Sequence, residues 1–275
     1  MLIFLKLGGS VITDKARAYT ARREAIMRLA REARRAIEAR SDLKLLIGHG
    51  SGSFGHRAAA AYGTREGVRT AADWRGYAEV AAAAARLNRL VTDVFLEVGV
   101  RVLSIQPSAS ARCSDGEVVY LDIGPIRETL GRGLVPLIYG DVALDDVRGG
   151  TIASTEDLFV YLSDELEPDR IVLLSRVPGV LDRAGDLIPR IRPADLPDLR
   201  GPLSGAQAVD VTGGMADKVE RMVELVQRRP RITVDIVPGD RPGLLTRCLL
   251  DDGLSVGTRI HNPEYRPNPE GRRGV

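Results

Sequence analysis

Six short apolar runs, at 2–7, 44–48, 101–105, 135–139, 170–175 and 233–237, recur along the chain with helix-length segments between them. A strand buried on both faces reads as a continuous apolar run, and strands alternating with helices are joined by crossovers that keep them parallel and covered on both sides. The expectation is an α/β fold, a three-layer αβα sandwich around a mostly parallel central sheet. Helices are expected at 21–39, 77–98, 156–166 and 215–228. In the second of these, Val80, Ala83, Ala84, Leu87, Val91, Val94 and Val98 recur at spacings of three and four, which makes one apolar stripe. The stretch 189–212, rich in Pro, Gly and Asp, reads as a long loop of the kind that carries function, and 262–275 reads as a frayed tail. No repeat or low-complexity linker divides the chain.

With 275 residues and 44% hydrophobic content, the chain buries enough for one large α/β domain or two intimately packed lobes. Its net charge is +2, from 39 basic and 37 acidic residues, and the signs are interspersed; the Arg-rich stretch 22–40 alternates with Glu and Ala as a solvated helix face does. Neither a nucleic acid nor a membrane surface is therefore an expected partner. Two cysteines, Cys113 and Cys248, are too few and too far apart for a disulfide framework or a zinc site, and fit plain thiols in a reducing cytoplasm. The apolar start of "MLIFLKLGGS" is too short for a signal or membrane segment and is broken by Lys6, so a soluble, cytoplasmic, unprocessed protein is expected.

Glycine-rich segments follow the first two expected strands, "LKLGGS" (5–10) and "GHGSGSFGH" (48–56), and a third, "VTGGMADK" (211–218), opens a helix. Bare backbone lets N–H groups approach a bulky anion, and a helix N-terminus adds partial positive charge. A ligand with several anionic groups is the reading. No G-x-x-x-x-G-K-[ST] occurs. Gly50, Gly52 and Gly55 spell G-x-G-x-x-G, but no acidic residue is evident where a dinucleotide fold holds its ribose, and the protein-kinase motifs are absent. His49, between glycines, reads as a local structural residue.

The segments "FLKLGGSVITDK" (4–15), "GHGSGSFGH" (48–56), "VPLIYGDVALD" (135–145), "VPGVLD" (177–182) and "VTGGMADKV" (211–219) resemble, in order and spacing, the amino acid kinase family, and most of all its isopentenyl phosphate kinase branch. The resemblance runs from Met1 to about Ile260, and Lys15 with His56 is what points to the branch. It implies ATP-dependent phosphorylation of isopentenyl phosphate to isopentenyl diphosphate, with Mg²⁺ bridging the nucleotide phosphates and no metal ligand of the protein's own. It also implies a homodimer, an acceptor-binding lobe over 1–150 and a nucleotide-binding lobe over 151–275. Lys6 and Lys218 would clamp the β and γ phosphates, Lys15 would add a third cation, and His56, on its glycine loop, would donate a hydrogen bond to the acceptor phosphate. Glu156 would orient the two lysines. Gly8, Gly9, Ser10, Ser175, Gly179, Gly213 and Gly214 join Lys218 as nucleotide-binding positions. Gly52, Ser53, Gly55 and His56 take the acceptor phosphate, and Val80, Ala83 and Leu87 its hydrocarbon tail. Two departures stand out: Ser154, Thr155, Glu156 and Asp157 replace the family's S-G-D-D, and Arg176 in "SRVPGV" replaces an acid near the nucleotide. A fosfomycin-type phosphonate or phosphate kinase and a non-catalytic nucleotide sensor stay open as alternatives.

Overall fold

The computed structural model describes residues 1–197, 214–254 and 256–265, with backbone alone at 56–58, 60, 61 and 214. In chain order its elements are β1 (Leu2–Leu7), α1 (Gly9–Ile12), α2 (Arg23–Ala39), β2 (Lys44–His49), α3 (Gly52–Tyr62), α4 (Ala71–Glu97), β3 (Val102–Ser104), β4 (Arg112–Ser114), β5 (Glu117–Tyr120), α5 (Gly124–Gly131), β6 (Val135–Tyr139), β7 (Asp141–Asp145), β8 (Gly149–Ala153), α6 (Thr155–Leu166), β9 (Arg170–Ser175), β10 (Arg190–Ile191), α7 (Gly214–Arg228), β11 (Thr233–Pro238), α8 (Leu244–Leu250) and β12 (Thr258–Ile260). All six apolar runs are strands of one eight-stranded sheet, ordered β10-β12-β11-β9-β1-β2-β6-β3. Every ladder in it is parallel except β11 with β12.

The period of two along β1 sorts the layers. Ile3, Leu5 and Leu7 face a core built with α2, α4 and α8, whereas Phe4 faces a second core with α5, α6 and α7. Lys6 shares the face of Phe4, so the alternation that buries its neighbours aims its ammonium towards α6. The sheet is continuous through the β1–β9 pair, so strands from before and after residue 150 share it. Both cysteines are free and buried, and burial lifts Cys113 to about 12 and Cys248 to about 11.

Two features depart from the sequence reading. A second sheet, β5-β4-β7-β8, occupies the stretch between Arg112 and Ala153. Its strands are short and partly polar, so no apolar run announces them. The signal they do carry is Asp115-Gly116, both at positive φ (49° and 87°), which turns the β4–β5 hairpin; the Asp145 carboxylate accepts from both their N–H groups at 3.2 and 2.7 Å. Second, the glycine-rich stretch after β2 does not stay a loop. From Gly52 (φ 48°) the backbone is helical, and the alanines at 58–61 favour helix, so His56 lies inside α3.

A buried charge cluster locks the start of β9 to β11. Arg170 and Asp235, 5% and 3% exposed, pair across β9 and β11; Asp235 also accepts from Arg259 Nε at 2.6 Å, and Arg170 Nη1 donates to the Cys248 carbonyl at 2.9 Å. Removing one member of such a pair strands the other's charge in the core. Asp235→Ala is expected to lower unfolding free energy by about 3–5 kcal/mol in urea titrations; a loss under about 1 kcal/mol would show that Asp252, 3.0 Å from Arg170 Nη1, compensates for the missing carboxylate.

Candidate active site

The C-terminal ends of parallel strands point at one cleft, the usual ligand position in open α/β sheets. It encloses about 450 Å³ and takes Lys6 from β1, Gly8, Gly9 and Ser10 from the turn into α1, and Gly50, Ser51, Gly52 and Gly55 from the turn into α3. Gly140 and Asp141 follow β6, and Leu174 with Ser175 ends β9. The first two glycine segments touch backbone to backbone: a Cβ on Gly9 would stand 2.7 Å from Gly52 N and 2.8 Å from its Cα. Thr13 rivets the approach, its hydroxyl donating to Gly9 O (2.6 Å) and accepting from Ser53 N (3.0 Å).

At the floor, Glu156 contacts Lys6 directly and its Oε1 lies 3.7 Å from Lys218 Nζ. Glu156 belongs to the first turn of α6, whose start is fixed by a capping box: Asp157 N donates to Ser154 Oγ (3.2 Å) and Ser154 N to the Asp157 carboxylate (2.8 Å). Thr155 Oγ1 donates to His49 O at 2.7 Å and so ties this helix start to the end of β2. Burial by itself would raise the Glu156 carboxyl, but Lys6 and Lys218 overcome it and hold it at about 2. Burial draws Lys6 below its ordinary value, with Glu156 opposing and Lys218 reinforcing. Glu156 is therefore an anion at neutral pH, wedged between two cationic side chains.

The remaining expected site residues divide. Lys15, Gly8, Gly9, Ser10, Ser175, Gly52, Gly55 and Val80 line the cleft with Lys6, Glu156 and Lys218. Gly214 opens α7, while Gly213 and the His56 side chain lie outside the described residues. Ser53 is buried in the Thr13 rivet. Gly179 packs on Leu187 and Thr258. Ala83 and Leu87 sit wholly within the α2-side core, because the strip of α4 that meets the cleft is Val80 and Ala84, four residues apart, and Ala83 and Leu87 lie on the adjoining strip. Arg176 is exposed just beyond the cleft wall formed by Ser175.

Sequence reasoning passed over several cleft residues. Arg221, one turn along α7 from Lys218, lines the cleft with its Nη1 2.8 Å from Asp157 Oδ1; the three-residue spacing was the available signal. Asp141 stood in the quoted "YGDV" and is 1% exposed, its carboxyl raised by burial and accepting from Ser108 N and Val142 N. Ile152, on the weakly patterned β8, and Arg65, after α3, had no signal. Among the described residues no three His, Cys, Asp or Glu side chains converge as a metal site, and Glu156 and Asp157 are already taken by Lys6, Lys218 and Arg221. No helix among them is long and apolar enough to cross a membrane.

The sequence profile of the amino acid kinase family matches residues 1–237. The isopentenyl phosphate kinase of Methanocaldococcus jannaschii is 34% identical over 266 residues, 94% of this chain and 98% of that protein. That of Haloferax volcanii is 38% identical over 251 residues, 90% of this chain and 98% of that protein. A solved isopentenyl phosphate kinase structure superposes with a TM-score of 0.80 at 32% identity, covering 94% of this chain and 100% of its own.

His49, behind the floor, is wholly buried, stacked on Tyr139 (5.6 Å between ring centroids), with Nδ1 3.1 Å from Gly50 O and Nε2 3.2 Å from the Asn88 amide. Burial pulls its pKa from 6.5 to about 4, and nearby Lys6 pulls the same way. Since the unfolded chain takes up this proton first, stability is expected to fall as pH drops from about 6.5 towards 4, by about 2 kcal/mol between pH 8 and pH 5. His261 shifts in the same direction, so the diagnostic is the difference in slope between wild type and His49→Gln in urea titrations at several pH values; identical slopes would mean that His49 is not held neutral.

Proposed function

The chain belongs to the amino acid kinase family, and on that premise we propose that it transfers the γ-phosphoryl group of ATP to isopentenyl phosphate, giving isopentenyl diphosphate. The observation that carries the reading is the pairing of Lys6 and Lys218 around one buried carboxylate at the floor of a glycine-walled cleft. Transfer between two phosphates brings like charges together, so catalysis consists of neutralising and aligning them. Two cationic side chains against one fixed anion leave net positive charge where the transferring group sits. No strong general base is required, because a phosphate monoester acceptor already carries its nucleophilic oxygen deprotonated.

In this reading the nucleotide phosphates lie over Gly8, Gly9 and Ser10, between Lys6 and Lys218, with Ser175 and the start of α7 alongside and Glu156 orienting both lysines. A Cβ at Gly8 or Gly9 would collide with Leu174 O or Gly52 N, so glycine lets this turn pack tightly beside the cleft with its backbone toward a polyphosphate. Mg²⁺ would come with the nucleotide, held by its phosphates, and supply further charge neutralisation. The acceptor phosphate faces Lys15, Gly52, Gly55 and the first turns of α3, where His56 resides. Its hydrocarbon tail points to Ala59, Val80, Ala84 and Ile152, the apolar end of the cleft. The acceptor lobe at 1–150 and the nucleotide lobe at 151–275 meet at this cleft, with Lys6, Gly8, Gly9 and Ser10 of the first also taking nucleotide phosphates and Ile152 of the second also lining the tail end. A homodimer and a cytoplasmic location complete the reading; Leu90 and Leu96 on α4 and Leu103 on the edge strand β3 are exposed apolar side chains for a second copy to cover.

The test is ADP release with isopentenyl phosphate, dimethylallyl phosphate, geranyl phosphate, fosfomycin and buffer alone. Turnover is expected with isopentenyl phosphate, and Lys218→Ala should lower kcat by at least about a hundredfold with unchanged thermal unfolding. Preference for fosfomycin would mark a phosphonate kinase, and nucleotide binding without turnover a sensor. Tail length is governed by Ile152 and Val80, which pack in one small cluster with Val142. At about 0.8 kcal/mol per buried methylene, Ile152→Ala should raise kcat/KM for geranyl relative to isopentenyl phosphate by about tenfold. Leu87→Ala, in contrast, opens a cavity in the core and should leave that ratio flat.

A further inference from the structure

We propose that Tyr19 is a positioning residue for Lys15, its ring latching the loop that carries this lysine onto the two helices that shape the acceptor end of the cleft. The proposal rests on the acceptor-side reading of Lys15 given above. The loop is closed at its base by a bridge between Thr13 and Ala21 and by Asp14 N donating to Thr20 O at 2.9 Å. Lys15 leaves one side of it to line the cleft. Tyr19, four residues on, meets Phe54 and Arg86.

Tyr19 adopts φ 51°, the left-handed region that a residue with a Cβ avoids. Sequence alone gives no reason for a tyrosine there, and strain of this kind is kept where the surroundings enforce it. What enforces it is the ring. It stands edge-on to Phe54 with centroids 5.7 Å apart and planes at 86°, and the Arg86 guanidinium carbon lies 5.3 Å from its centroid. Phe54 belongs to the first turn of α3, between the cleft glycines Gly52 and Gly55. Arg86 is two residues beyond Ala84 on α4, the helix that gives Val80 and Ala84 to the tail end. One ring thus joins the lysine loop, the glycine turn and the tail-lining helix.

Beyond the Thr13 rivet at the base of the loop, the backbone holds this join weakly. Tyr19 N reaches Ser53 O, and Thr20 N reaches Ser53 Oγ, both at 3.4 Å, the long end of the hydrogen-bond range. Tyr19 is 49% exposed, so trimming it empties no core. Its contribution is orientation: with the ring in place Lys15 is held ready over the cleft, and without it the acceptor phosphate must order the loop as it binds. ATP, on the Lys6–Lys218 side, does not meet this cost.

The experiment is steady-state kinetics with isopentenyl phosphate and ATP varied in turn. Tyr19→Ala is expected to raise KM for isopentenyl phosphate by about tenfold, with KM for ATP within about twofold and thermal unfolding unchanged. Tyr19→Phe, which keeps the ring, should return the acceptor KM to within about twofold of wild type, and Arg86→Met should fall between the two. In a Lys15→Ala background, Tyr19→Ala should add less than about twofold, because the group it positions is gone. Multiplicative effects of the two substitutions, or an acceptor KM that Tyr19→Ala does not move while Lys15→Ala raises it, would overturn the proposal alone. An unchanged acceptor KM in Lys15→Ala would remove the reading of Lys15 and the proposal with it.

Discussion

Everything at the cleft depends on one carboxylate shared by two lysines. Lys6, Glu156 and Lys218 come from β1, α6 and α7, far apart in sequence, and Glu156, buried like Lys6, lets the two cations stand together. Without the anion, Lys6 would face burial and the repulsion of Lys218 together, and both act to strip its proton. With it, the Glu156 carboxyl stays ionised far below neutrality and the cluster keeps an excess positive charge. In the proposed reading that excess favours a polyphosphate, and the rest of the architecture keeps the three side chains in register.

The register is set by ordinary secondary-structure physics. The period of two along β1 turns Lys6 towards α6 while burying Ile3, Leu5 and Leu7 on the opposite face. The capping box at Ser154 fixes where α6 begins and therefore where Glu156 points. Behind the lysine, neutral His49 fills space that a cation could not share with Lys6, and its carbonyl takes the Thr155 hydroxyl. The glycines act at a different level. Gly9 and Gly52 let two chain segments meet with no side chain between them, which brings the starts of α1 and α3 to one point. Helix dipoles and cations then act on the same small volume.

The parallel sheet was legible because its strands are buried on both faces and carry no polar alternation to blur them; the runs at 2–7, 135–139 and 170–175 match their strands residue for residue. The second sheet was not, since strands such as Arg112–Ser114 and Glu117–Tyr120 are short, half-exposed and recognisable only by the turn between them. At the site, glycines and lysines were legible because bare backbone and in-strand charge are costly without a ligand. Helix facing was less so. The stripe on α4 is broad enough to serve the core and the cleft at once, and the choice between Leu87 and Val80 is made by how α3 and β8 pack against it, which no local pattern encodes. Ile152 and Arg65 reach the cleft through tertiary placement alone.

The segment Ser154–Asp157 shows how a departure from a family pattern can preserve its physics. Ser154 and Asp157 exchange the capping hydrogen bonds, Thr155 anchors the helix start to β2, and Glu156 is left to the lysines. An aspartate at 156 would have one methylene less with which to span from Lys6 to Lys218; the glutamate contacts the first and stands 3.7 Å from the second. Asp157, directed away by the cap, neutralises Arg221 at 2.8 Å, so the cation next along α7 does not compete for Glu156. Each of the four side chains has a distinct partner, and an acid still lies between both lysines. Of the two departures that kept a turnover-free sensor open, the one at 154–157 therefore leaves an intact charge cluster, while the other, Arg176, is an exposed side chain next to the cleft residue Ser175.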